Sequence, residues 1–233
     1  VTVSEDIGPA PTRSVARRDT GRWFYAGLAA VLVVLIAAGF TPTFYARGAF
    51  FPVPPLRPAV VAHGVAFTTW VSLFLIQPWL IALGRPRLHR RLGVLAGLVA
   101  AATVVLGVIV SIGLEQQHAG ESSAATAVHL FSNLAPLAIF AGFVSTGILG
   151  RHVPEVHKRC MLLATVVLLP AATGRLFADL GVEFLDLPVY AVFAFASAVY
   201  DRLTLGRIHR VSLYGGLLLV GTDLLVSALL ARV

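Results

Sequence analysis

The sequence predicts an all-α polytopic membrane protein of seven transmembrane helices, one N-terminal helix followed by three helical hairpins, with the N-terminus inside and the C-terminus outside. Three observations predict it. Of the 233 residues, 58% are hydrophobic and only 12% are charged, against about 25% charged in a soluble domain, so most of the surface must face lipid. Apolar runs of a length that crosses a hydrocarbon core recur at about 23–40, 62–83, 92–112, 128–149, 161–178, 187–205 and 211–230. The basic residues that separate these runs collect on one side.

The charge count gives the orientation. Arg13, Arg17, Arg18 and Arg22 precede the first span. Arg85, Arg87, Arg90 and Arg91 lie between the second and third. Arg151, Lys158 and Arg159 lie between the fourth and fifth, and Arg202, Arg207 and Arg210 between the sixth and seventh. These are fourteen of the eighteen Lys and Arg. The opposite side holds Arg47, Arg57 and Arg232, with the acidic Glu115, Glu121, Glu183 and Asp186. Arg175 falls inside a span. Short cytoplasmic loops are enriched in Lys and Arg. The net charge of +7 is thus a topology signal and a contact for anionic lipid headgroups, not a nucleic-acid footprint. The chain is expected in the bacterial inner membrane.

Residues 1–21 are polar, contain Pro9 and Pro11, and read as a disordered cytoplasmic tail. Residues 22–233 read as one transmembrane domain. The first span follows basic residues as a signal peptide does, but its length and the six spans behind it favour a retained helix. Cys160 is the sole cysteine, so no intramolecular disulfide forms.

The hairpins share a plan. His63 opens a span that Gly84-Arg85 closes 21 residues later, and His129 opens one that Gly150-Arg151 closes at the same spacing. His89-Arg90 follows the first and His157-Lys158 the second. The third hairpin keeps Gly206-Arg207 and His209-Arg210 but has Leu185 at the helix start. Glycine ends a helix in the left-handed conformation, and cations there offset the negative pole of its dipole. The motif is first of all a tight basic turn.

Polar residues inside a span need partners and are candidate sites. His63 and Thr68 lie on the second span, with Trp70 and Gln77 deeper. His129, Ser132 and Asn133 lie on the fourth, with His129 and Asn133 on one face. Arg175 and Asp179 stand four residues apart and are expected to pair. Asp223, on the last span, either stays protonated or meets Arg175 across the bundle. Asn133, Arg175, Asp179 and Asp223 together outline an outer-leaflet pocket. His118, in "EQQHAGESS", reads as a solvated loop histidine. No protein metal site of the spacing seen in zinc proteins is present in the sequence.

The histidine order resembles that of cytochrome b561-type haem proteins. The resemblance covers about residues 62–178 and rests on His63, His89, His129 and His157. It implies a b-type haem between His63 and His129 at the outer side, a second between His89 and His157 at the inner side, and electron transfer across the bilayer. The outer pair is the first choice, because a turn already explains His89 and His157. The strings "HRRLG" and "HKRCMLLAT", with His63, Trp70, Gln77, Arg85 and Arg175, are similar to a family of bacterial multi-pass membrane proteins of unknown function. That similarity implies the architecture only.

Three further function classes stand beside the haem reading. One is a membrane-embedded enzyme or binding protein for a lipophilic small molecule such as a quinone, with His63 or His129 as general base and Arg175 placing an anionic group. Another is a transporter, suggested by Pro78, Pro136 and Pro170 in mid-span. The last is an assembly factor without chemistry of its own. Small-residue faces such as Gly93 and Gly97 suit close packing within the bundle or in a homo-oligomer.

Overall fold

The computed structural model describes residues 13–49, 53–115 and 122–232. His118, Glu121 and the first twelve residues of the expected tail lie outside the described residues. Every described element is helical: α1 (Arg13–Phe40), α2 (Pro58–Ala82), α3 (Pro86–Glu115), α4 (Ser123–Leu149), α5 (Pro154–Val166), α6 (Pro170–Leu180), α7 (Asp186–Leu205) and α8 (Arg210–Leu230). A π-helical turn, Thr41–Tyr45, follows α1, and a 3₁₀ turn, Glu183–Leu185, precedes α7. The first helix begins at Arg13, so the end of the segment expected as tail is helical.

Local chemistry sets the ends. Proline, which lacks an N–H and has a helical φ, is the first residue of α2, α3, α5 and α6. Ser122 caps α4, its hydroxyl accepting from the Ala125 N–H at 3.2 Å. Gly84 and Gly206 take left-handed φ values of +69° and +71°, as the turn motif predicts. Gly150 corrects that expectation: its φ is −82°. There the reason for glycine is room, because a β-carbon would lie 3.0 Å from the Thr146 carbonyl oxygen and 3.1 Å from Val156.

Six helices are long and apolar enough to cross a membrane. The segment expected as a fifth span is instead two short helices, α5 and α6, bent by 40°. Pro170 has no N–H to give to the preceding turn. The chain closes the break with shorter bonds, Leu168 N–H to Thr165 O and Leu169 N–H to Val166 O. The matching arm of the first hairpin, α3, is one continuous helix.

The second half of α5 runs through the bundle centre. Leu162 through Leu169 are all buried, enclosed by α1, α2, α4, α7 and α8. The core continues through Leu32 and Ile36 of α1, Phe67 and Trp70 of α2, Phe140 of α4, Tyr190 and Phe193 of α7 and Leu219 of α8. Outward positions stay apolar: Val34 and Leu98 are about two-thirds exposed, as a lipid-facing surface requires.

Candidate functional site

The α2–α3, α4–α5 and α7–α8 turns begin at Gly84, Gly150 and Gly206. Near them, α5 presents two polar clusters on different faces. His89 is the fourth residue of α3 and His157 the fourth of α5, each counted from its initiating proline. Their rings meet edge to face, with centroids 6.1 Å apart and planes at 86°. Each ring is held from behind by backbone. His157 Nδ1 lies 2.8 Å from the Gly147 carbonyl and His89 Nδ1 lies 3.3 Å from the Gln77 carbonyl. A carbonyl only accepts, so Nδ1 carries the hydrogen in both rings, and Nε2 is the bare nitrogen of the neutral form. Gly147 is in the last turn of α4, where carbonyls lack helical partners. His157 thus caps α4 while it presents its other nitrogen.

The second cluster is ionic. Arg159 of α5 is fully buried, as are Asp201 of α7 and Ser212 of α8. The guanidinium pairs with Asp201 through two nitrogens and donates to Ser212 Oγ at 3.0 Å. Its remaining nitrogen donates to the Glu155 carboxylate at 2.6 Å and the Glu155 carbonyl at 2.7 Å. Asp201 also accepts from the Ser212 hydroxyl at 2.7 Å and the His209 backbone N–H at 3.2 Å. Lys158 extends the set, pairing with Glu155 at 2.8 Å and lying 5.0 Å above the Tyr25 ring. These bonds satisfy a buried charge pair that lipid or core would otherwise reject. His209 stands outside the spans and caps α8 through Nδ1, which accepts from the Val211 N–H at 3.2 Å. Partial burial, then the Arg159 charge, holds its pKa below the usual histidine value.

The other expected site residues lie on α2, α4, α6 and α8. His63 stacks on Phe67 and faces Gly107 of α3. His129 offers its carbonyl to Ser132 and to Asn133, whose amide lies 3.0 Å away. Arg175 turns to the Ala171 carbonyl and over the Phe40 ring at 5.1 Å. It forms no described ion pair with Asp179, which corrects the spacing argument: the guanidinium finds its partners back along α6 and on α1. Asp223 lies instead within electrostatic reach of Asp186 and Tyr190.

Arg159 and Asp201 were hidden in the sequence by their positions near basic loops. A signal existed. Asp201 sits just before the last turn of α7, near the end where the helix dipole disfavours a carboxylate, so it calls for a cation. The Pro-x-x-His spacing at Pro86–His89 and Pro154–His157 marks the histidine pair better than Gly-Arg does.

Among the described residues no three His, Cys, Asp or Glu side chains converge on a point. His89 and His157 are the imidazoles at this end of the bundle whose rings are in contact. With metal–nitrogen bonds of about 2 Å, two imidazoles sharing one ion place their ring centres about 6 Å apart. The 6.1 Å between the His89 and His157 ring centres is of that order.

Fold and site define a helical membrane-protein bundle with an imidazole pair and a buried ion-pair network at one end. No protein-family model, curated protein or solved structure matches the chain.

Proposed function

We propose that the chain is a seven-span bacterial inner-membrane protein, N-terminus inside and C-terminus outside, that binds a b-type haem between His89 and His157 and transfers electrons. Two points support the orientation. Counting α5–α6 as one crossing puts the turns at Gly84, Gly150 and Gly206 on the side of the α1 N-terminus, and that side carries most of the basic residues. The observation that carries the haem reading is the meeting of the two rings at 6.1 Å with both Nδ1 atoms engaged by backbone. A carbonyl bonded to Nδ1 in this way fixes the tautomer that leaves Nε2 free to ligate. Arg85 and Arg87 precede His89 in the chain and suit anionic carboxylates. When bound, a haem supplies one-electron chemistry, and a lipophilic carrier such as a quinone is the partner class that a membrane site favours.

An absorption spectrum of detergent-purified protein, expressed with haem supplied, oxidised and then reduced, tests this. A Soret band with sharp reduced α and β bands is expected, lost in His89→Ala and in His157→Ala. A second reading, a carrier or binding protein for a lipophilic molecule, is favoured by the break between α5 and α6, since discontinuous helices line binding sites in transporters. Protein without visible absorbance would leave that reading in its place.

A further inference from the structure

A shallow groove runs between α4 and α8 from the end of the bundle that carries the glycine turns. Phe143 and Thr146 of α4 form one wall, Tyr214 and Leu218 of α8 the other, and Cys160 of α5 the floor. Arg210, the first residue of α8, lines its end. Tyr214 is 65% exposed and Leu218 49%, so the groove opens to the outside of the bundle. Small residues create it. A β-carbon on Gly215 would overlap the Leu163 side chain of α5, and one on Gly216 would lie 2.7 Å from Phe195 of α7. The two glycines thus let α8 settle deep against its neighbours. With Cys160 and Gly215 beneath it, the space between α4 and α8 lacks bulk.

The charge at the end of the groove is not answered within the bundle. The Glu155 carboxylate is taken by Lys158 and Arg159, and that of Asp201 by Arg159 and Ser212. Arg151 and Arg202, at the same end, donate to the Ile148 and Gly206 carbonyls. Arg210 is exposed, and among the described residues it has no ion pair or hydrogen bond. Arg207 stands three residues before it and adds to the positive field. From Arg210 to Leu218 the helix rises about 12 Å, within the roughly 15 Å of hydrocarbon in one leaflet. Tyr214, one turn from Arg210, suits the headgroup level. An occupant that meets every part of this surface carries an anion at one end and hydrocarbon behind it. A free phosphate meets Arg210 alone, and a neutral apolar molecule meets only the walls.

We infer that the groove binds one anionic phospholipid, its phosphate on Arg210 and one acyl chain laid between α4 and α8 over Cys160. A zwitterionic lipid brings its own cation to a place that already holds Arg207 and Arg210, whereas an anionic headgroup brings none. The site does not depend on a haem. The direction in which the chain crosses the membrane sets only which leaflet supplies the lipid.

Photolabelling of the detergent-purified full chain tests this, with a phosphatidylglycerol that carries a diazirine on its acyl chain and with peptide mapping of the product. Label is expected to concentrate on α4 and α8. Unlabelled phosphatidylglycerol is expected to displace it at about fivefold lower concentration than phosphatidylcholine, the ratio that about 1 kcal/mol per basic residue gives. Arg210→Gln is expected to abolish that preference and Arg210→Lys to keep it. Thr146→Trp, which fills the groove from an exposed position, is expected to block labelling. Leu218→Trp replaces it if Thr146→Trp does not elute as a single species. Glycerophosphoglycerol, the headgroup without acyl chains, is expected to leave the label in place. Label spread evenly over all helices, equal displacement by the two lipids, or a preference that survives Arg210→Gln would each overturn the inference. Displacement by glycerophosphoglycerol would also overturn it, leaving an anion site without a lipid groove.

Discussion

Arg159 of α5 and Asp201 of α7 form an ion pair in which neither side chain has exposed surface. Breaking such a pair from one side strands a buried charge and costs about 3–5 kcal/mol, whereas replacing both partners by apolar residues is often neutral. Asp201→Ala is therefore expected to lower the unfolding temperature in detergent by more than the double variant Arg159→Met/Asp201→Leu does. A double variant as unstable as the single one would mean that the pair contributes net stability.

The histidines divide by position. Haem absorbance is expected to vanish in His89→Ala and His157→Ala and to survive in His63→Ala and His129→Ala. His157→Ala should also reduce thermal stability by about 1 kcal/mol or more, because the Gly147 carbonyl at the end of α4 loses its donor. The opposite spectral pattern would move the cofactor to the other end of the bundle.

Gly39 marks where α1 and α6 touch. A β-carbon there would overlap the Ala172 carbonyl, whereas one on Gly27 meets nothing within 4 Å. Both positions are helical, so alanine gains about 1 kcal/mol of propensity at each. Gly27→Ala is expected to be neutral or stabilising and Gly39→Ala clearly destabilising, as measured by thermal unfolding of the two variants side by side.

The cap of α8 should give a pH dependence. His209 holds its Nδ1 lone pair toward the Val211 N–H and titrates below the ordinary value of 6.5. The folded chain thus binds fewer protons here than the unfolded one, so stability rises with pH across that window. This contribution is complete above about 6.5 and declines as the solution is acidified through the lowered value. His209→Asn, an uncharged cap, is expected to flatten the fall in unfolding temperature between about pH 8 and about pH 5. An unchanged slope would exclude His209 as its source.

The helices were legible in the sequence because lipid solvent writes long apolar runs, and the turns because proline and glycine punctuate them. The break between α5 and α6 does not show in the hydropathy, since Leu162 through Leu169 are apolar except for Thr165 and only Pro170 betrays it. The order of His63, His89, His129 and His157 was visible. Which pair meets was not, because that depends on how α3 and α5 pack. A turn explains His89 and His157 in the sequence, yet His157 also bonds the last turn of α4, His89 bonds a carbonyl within α2, and their rings face each other. Arg159 reads as a loop cation in the sequence, because its partner lies 42 residues away on α7. Arg175 and Asp179 show the converse: spacing permitted a pair, and nearer partners prevailed.

The burial of Arg159 bears on how the chain enters the membrane. Glu155, His157, Lys158 and Arg159 occupy the first half of α5, and neither α5 nor α6 alone is long enough to cross. A buried charge without its partner resists transfer out of water. Asp201 and Ser212, which neutralise and bond Arg159, are synthesised 42 and 53 residues later, a delay of seconds at about 5–20 residues per second. α5 thus settles only once α7 and α8 exist, and the last hairpin acts as its insertion partner. A nascent chain halted after α6 should leave its fifth segment accessible to aqueous reagents, and the same segment should become protected when α8 is complete.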